Sequence, residues 1–294
     1  MRITHRMIAD TVNVNLQQSL HRLQQRSEQL STGKSFHRPS QDPVGTNRVM
    51  RYRDSINRNE CYRLNISEAR GWLQATEAAL MDGLDALQRI RELCIYGANG
   101  SLAEAELLSI AEEVHEFYRH LVGVGNTEYN GLYIFGGHQT GSPPYWEGAA
   151  GIEYIGDEGQ RLLEISSHQE IVMNLDGLRA FGGIELMKAV SAVQEALTAG
   201  NQEALSGQAL SGINEGIDLL LECLSEIGAR QKRLEVMDDT LFEGDTQLKQ
   251  RLSEVEDIDI ALVITEYMME EYAYRAALST ASRILQPSLV DYLS

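Results

Sequence analysis

Residues 66–94 read ISEARGWLQATEAALMDGLDALQRIRELC and place Ile66, Ala69, Leu73, Thr76, Leu80, Gly83, Leu87, Ile90 and Cys94 at alternating steps of three and four. That alternation is the seam of a helix packed lengthwise against partners. Traced backward, the helix reaches Pro43, with Asp42 in the N-cap position and Pro43 where the first helical residue belongs. A helix of roughly fifty residues is expected, about 75 Å at 1.5 Å per residue. One compact core has no need of such a rod. Gly97, Asn99 and Gly100 should end it, and a third helix should follow over about 102–121.

The same spacing returns at both ends of the chain. Leu16, Leu20, Leu23, Ser27 and Leu30 form a heptad seam that stops at Gly33. Val255, Ile258, Leu262, Thr265, Met269, Tyr272, Ala276 and Ser279 form another. Helical pattern also covers Glu185 to Ala199 and, after Gly200-Asn201, about 202–249.

Between the helical halves, residues 123–183 are rich in glycine and hold Pro143-Pro144. Ile152–Ile155, Leu162–Ile165 and Ile171–Leu175 read as strands, with Gly156-Asp-Glu-Gly159 as the turn of a hairpin joining the first two. The expected fold is mainly α with a small β-rich insert (α+β). Long antiparallel helices form coiled-coil-like rods, and the N- and C-terminal helices pair. Three divisions follow: 1–42 with 252–294 as an inner domain of terminal helices, 43–136 with 184–251 as a helical rod, and 137–183 as a β-rich outer domain.

The chain has 294 residues, 25 Lys+Arg and 43 Asp+Glu, a net charge of −18. Nucleic-acid binding needs clustered positive charge to displace condensed counterions, so the balance argues against that class. The charge is uneven: residues 1–120 hold 15 basic and 15 acidic side chains, whereas 121–294 hold 10 and 28. Cys61, Cys94 and Cys223 are isolated from one another, which excludes a disulfide framework or a Cys-based zinc site. The N-terminus lacks the apolar core of a cleavable signal peptide, and no stretch near the C-terminus is apolar for long enough to insert in a membrane.

Fragments suggestive of enzymes fail on geometry. Gly33-Lys34-Ser35 follows a helix rather than a strand and lacks the earlier glycine of a phosphate loop. In Gly123-Val-Gly125 the third fingerprint glycine is replaced by Glu128. His115 and His120 are five apart, not four, so they point about 140° apart on a helix at 100° per residue. No catalytic, metal or cofactor site is expected.

The loop after the first helix carries a family resemblance. Ser31-Thr32-Gly33-Lys34 followed by Pro39-Ser40-Gln41-Asp42-Pro43 resembles the N-terminal signature of the flagellin superfamily, and within it the hook-associated protein 3 branch of bacterial flagella. Gln41 stands where that family usually has an acidic residue. Three more stretches agree in order: Met1-Arg-Ile-Thr4, the segment Tyr129–Gly137 with Phe135, Gly136 and Gly137, and Ser288–Leu293 with Leu289, Tyr292 and Leu293. Gln286-Pro287 is more typical of filament flagellin.

The resemblance implies a structural protein, not an enzyme. It would leave the cell without a cleaved signal peptide and form a ring in the extracellular flagellum. Its expected partners are further copies of itself, a neighbouring hook-associated protein, flagellin, and a cytoplasmic export chaperone on the C-terminal part. With the ends paired, Leu16, Leu20, Leu23 and Leu30 should pack against Ile258, Leu262, Met269 and Tyr272 as the assembly interface. The alternatives are filament flagellin itself and an intracellular helical signalling or regulatory protein.

Overall fold

The computed structural model describes residues 5–99, 102–148 and 151–284. In chain order they form α1 (His5–Thr32), α2 (Pro43–Ala98), α3 (Glu104–Gly125), six short strands, α4 (Gly177–Phe181), α5 (Glu185–Thr198), α6 (Gln202–Ala204), a π-helical turn (Leu205–Ala209), α7 (Leu210–Glu256) and α8 (Ile260–Ile284). The expected mainly α fold with a small β-rich insert is present. The chain divides into two compact units, residues 1–57 with 244–294 and residues 58–243. The larger unit holds 12 basic and 30 acidic side chains and the smaller one 13 of each, so the larger carries the entire net charge.

In the larger unit, all nine positions of the 66–94 stripe are buried. They pack against α7, which runs antiparallel to α2. Arg63 Nε meets Asp238 at 3.0 Å, Gln231 donates to Glu77 at 2.8 Å, and the Cys94 thiol reaches the Leu205 carbonyl at 3.4 Å. A Cβ at Gly83 would sit in ordinary contact with Leu220, Val124 and Leu121, which marks the place where α2, α3 and α7 converge. From α3, Glu113 and His120 pair back onto Arg89 and Asp82 of α2. Val114, Leu121, Val190 and Val193 close the α3–α5 contact.

The strands form three separate antiparallel hairpins. β1 (Glu128–Tyr129) and β2 (Leu132–Tyr133) are joined by Asn130 and Gly131 at φ 52° and 76°, the left-handed pair that a tight hairpin turn requires. β3 (Tyr145–Gly148) pairs with β4 (Gly151–Tyr154), and β5 (Leu162–Ser166) with β6 (Gln169–Val172).

Gly156–Gly159 is therefore not the turn of a hairpin, contrary to expectation: it connects two hairpins. The Asp157 carboxylate accepts the backbone N–H groups of His138 and Gly159 at 2.7 and 2.9 Å, which ties this stretch back to residues 136–140. Tyr145 supplies the strand that β4 needs. Its buried ring packs against Tyr154 and Phe181, and its hydroxyl lies 3.1 Å from the carbonyls of Gly177 and Gly183.

Candidate assembly interface

The smaller unit is built around two helix breaks that meet. α1 ends at Thr32, and Gly33 follows at φ 72°, a left-handed terminator. The loop to α2 folds on its own polar groups. Gln41 Oε1 accepts the N–H groups of His37 and Arg38 at 2.8 and 3.2 Å, so the amide oxygen closes the loop on itself. Asp42 Oδ1 caps α2 by accepting from Val44 and Gly45 at 3.1 and 2.8 Å. On the return path α7 ends at Glu256, and Asp259 caps α8 through the N–H groups of Ala261 and Leu262.

These breaks are stitched together. Ser35 N–H donates to the Glu256 carbonyl at 2.6 Å and Ile258 N–H to the Gly33 carbonyl at 3.1 Å. The Glu256 side chain is buried and meets Lys34 Nζ at 3.2 Å and Arg53 Nη2 at 2.5 Å. Lys34 also reaches Asp257 at 3.1 Å, and Ser253 Oγ donates to Asp257 at 2.6 Å. Burial pushes the Lys34 ammonium down, but Asp257 and Glu256 outweigh it and hold the group above its usual value. The Ser253 hydroxyl and then Lys34 hold the Asp257 carboxyl below the usual aspartate value.

From this node α1 and α8 run antiparallel in contact. Arg22 meets Glu270 at 3.0 Å and Arg26 meets Glu266 at 3.1 Å. Residues 1–40 hold 6 basic and 2 acidic side chains and residues 251–294 hold 3 and 8, and these two contacts join the oppositely charged ends. Such partly exposed pairs contribute on the order of 0–1 kcal/mol each, so the apolar seam dominates. On α1 the covered positions include Val12, Leu16, Ser19, Leu23, Arg26 and Leu30; on α8 they include Val263, Tyr267, Glu270, Tyr274, Ala277 and Ala281.

The expected residue pairing needs correction. Leu16, Leu23 and Leu30 are half-buried in the seam, but Leu20 is exposed on its flank. Ile258 is half-buried in the break before α8. Leu262, Met269 and Tyr272 face away from α1, exposed by 57%, 59% and 70%. The physical reason is that α8 bears two apolar stripes of the same three–four spacing, more than 100° apart around the helix, and periodicity does not rank them. The charged residues of 260–282 are Glu266, Glu270, Glu271 and Arg275. At 100° per residue they leave an arc of about 180° free of charge on the outward side. Leu262, Met268, Met269 and Tyr272 lie there, all exposed.

The motif residues have identifiable local roles. Ser31 and Thr32 close α1, with the Thr32 hydroxyl donating to the Glu28 carbonyl at 2.8 Å. Pro39 and Ser40 are exposed in the turn before Asp42, and Pro43 opens α2. Phe135 lies in the larger unit, buried edge-on against Phe181 at 5.0 Å. Gly136 and Gly137 pass too close to Gln139 and Asp157 to bear side chains. Met1–Thr4, Leu289, Tyr292 and Leu293 lie outside the described residues. Periodicity had no means of finding Arg53, Glu256 and Asp257, because the node is polar and its residues are distant in sequence. Their only trace was the opposite charge of the two ends.

Among the described residues no group of three or more His, Cys, Asp or Glu side chains is placed to hold a metal ion, and no helix is long and apolar enough to cross a membrane.

Residues 3–140 match the family model for the bacterial flagellin N-terminal helical region. Flagellar hook-associated protein 3 of Salmonella typhimurium is 24% identical over 305 residues, covering 95% of this chain and 96% of the relative. A flagellin of Bacillus subtilis is 25% identical over 280 residues, covering 91% and 90%. A solved flagellar hook-associated protein from Vibrio parahaemolyticus shares the fold with a TM-score of 0.70 at 19% identity, covering 74% of this chain and all of that one. Relatives of this chain are thus named flagellar hook-associated protein 3 and flagellin, and its residues 3–140 are similar to the flagellin N-terminal helical region.

Proposed function

We propose that this chain is a structural subunit of the bacterial flagellum that joins hook-side proteins to the flagellin filament as a ring. It is not an enzyme; its work is assembly with other flagellar proteins in an extracellular appendage. The observation that carries the reading is the uncharged outward arc of α8, with Leu262, Met269 and Tyr272 exposed beside a terminal-helix pair that is already formed. A subunit of a closed ring meets its neighbours through different patches on its two sides, and this stripe supplies one of them. Leu16, Leu23 and Leu30 hold α8 from within the seam, and Leu20 is an exposed apolar side chain on α1.

The partners are further copies of the chain, a neighbouring hook-associated protein and flagellin, with a cytoplasmic export chaperone on the C-terminal part before export. Export proceeds with the chain unfolded. Three free cysteines suit such a route, since no disulfide is there to close a loop in a narrow channel. The three-part division by sequence, with terminal helices inside, the rod between and residues 137–183 outside, is the arrangement proposed for the ring.

Filament flagellin is the second reading, favoured by the Bacillus subtilis relative. Incubating the purified chain alone and with isolated hooks separates the two. Attachment to hooks without growth of the chain alone supports the junction role. Long filaments from the chain alone overturn it in favour of flagellin.

A further inference from the structure

α8 offers α1 two stripes and uses one. The covered stripe holds Val263, Tyr267, Glu270, Tyr274, Ala277 and Ala281, whereas the outward stripe holds Leu262, Thr265, Met269, Tyr272, Ala276 and Ser279. The outward one carries no charge and larger aliphatic side chains, so burial alone does not explain the choice. Nor does the α1 side decide it, since Ser19 and Arg26 interrupt its leucines. The Arg22–Glu270 and Arg26–Glu266 pairs border the covered face, but they are partly open to solvent and each contributes on the order of 0–1 kcal/mol, too little to fix a rotation alone.

The constraint with a fixed geometry lies at the start of the pair. Glu256 is buried, held by Lys34 and Arg53, and flanked by the two backbone hydrogen bonds that tie Gly33 and Ser35 to Glu256 and Ile258. Ile260, the first residue of α8, is only four positions beyond Glu256. A node at that place fixes both the axial level and the rotation with which α8 sets out along α1. Buried ionic and polar groups are poor sources of stability, and the selection of one register among several is their best-attested use.

We infer that Glu256, held by Lys34 and Arg53, is a positioning residue that selects which stripe of α8 faces α1 and so keeps Leu262, Met269 and Tyr272 outward for neighbouring subunits. The last clause rests on the proposed assembly role; the selection itself does not.

The test is thiol labelling of the isolated full-length chain with Cys61→Ser, because Cys61 is exposed whereas Cys94 and Cys223 are buried. A reporter cysteine is placed by Met269→Cys on the outward stripe or by Ala277→Cys in the seam. With the node intact, the position 269 thiol should react at least about tenfold faster than the one at 277. Adding Lys34→Met and Glu256→Gln should bring the ratio to one or below while far-ultraviolet dichroism stays unchanged. Lys34→Arg, which keeps the charge, should preserve the original ratio.

An unchanged ratio after loss of the node would overturn the inference. So would equal labelling with the node intact, or loss of the ratio in Lys34→Arg. Equally fast labelling accompanied by lost helicity would overturn it too, because the node would then be holding the pair together rather than choosing its face. None of these outcomes involves assembly, so they are separable from failure of the junction reading.

Discussion

Met269→Glu separates a neighbour-facing residue from a seam residue. Met269 is 59% exposed on the outward arc of α8. Complete burial of a methionine stabilises by roughly 1.5–3 kcal/mol, so a neighbour covering the exposed part gains about 1–2 kcal/mol. Glutamate forfeits that gain and adds about 1–3 kcal/mol for a polar group covered without a partner. The contact should weaken by about 3 kcal/mol, on the order of a hundredfold at 1.4 kcal/mol per tenfold.

Within the isolated chain the change should cost little. Glutamate and methionine have similar helix propensity, and the new charge adds only a weak like-charge neighbour at Glu266, about 0.2–0.5 kcal/mol. Urea unfolding of the isolated chain should therefore be nearly unchanged, whereas binding to isolated hooks, followed by co-sedimentation and electron microscopy, should be lost. Binding at the original strength would refute the outward assignment. A fall in stability above about 1 kcal/mol would place Met269 in the seam instead.

Leu23→Asp should uncouple α1 from α8 and leave residues 58–243 folded; limited proteolysis should then trim both ends first, and an unchanged digestion pattern would count against the seam. The Asp257 carboxyl lies below the usual value of 3.8, so its stabilisation is complete above that pH and is lost as pH falls through the lower folded value. Lys34 lies above 10.5, so its stabilisation is complete below that pH and is lost as pH rises past the higher folded value. Amide protection of Ser35 and Ile258 should fade at both extremes, and protection that persists in strong acid would exclude the carboxylate. Burial pushes the Cys94 and Cys223 thiols up to about 11, so alkylation of the native chain near neutral pH should modify Cys61 alone. Rapid labelling of all three would mean that the larger unit opens readily.

Where burial follows a single stripe, periodicity was enough to place it. The 66–94 stripe on α2 is covered on every side by apolar partners, so each position it predicted is buried. Asp42 before Pro43 marked a helix start because capping is local chemistry, and Gly33 marked an end for the same reason. α8 defeated the same method because its two stripes are equally periodic, and the feature that separates them, Glu256, lies outside the helix. The turn signal at Gly156–Gly159 misleads for a related reason: it is local, but the carboxylate of Asp157 is committed to His138, almost twenty residues upstream. Conversely, Asn130-Gly131 is a local hairpin signal within the segment Tyr129–Gly137 and forms a tight turn in the structure.

The most direct test of the junction role is deletion of the gene, with electron microscopy of the cells and assay of the medium for flagellin. The junction role predicts intact hooks that end without filaments, together with flagellin lost to the medium. Filaments of ordinary length growing from the hooks of the deletion strain would contradict it.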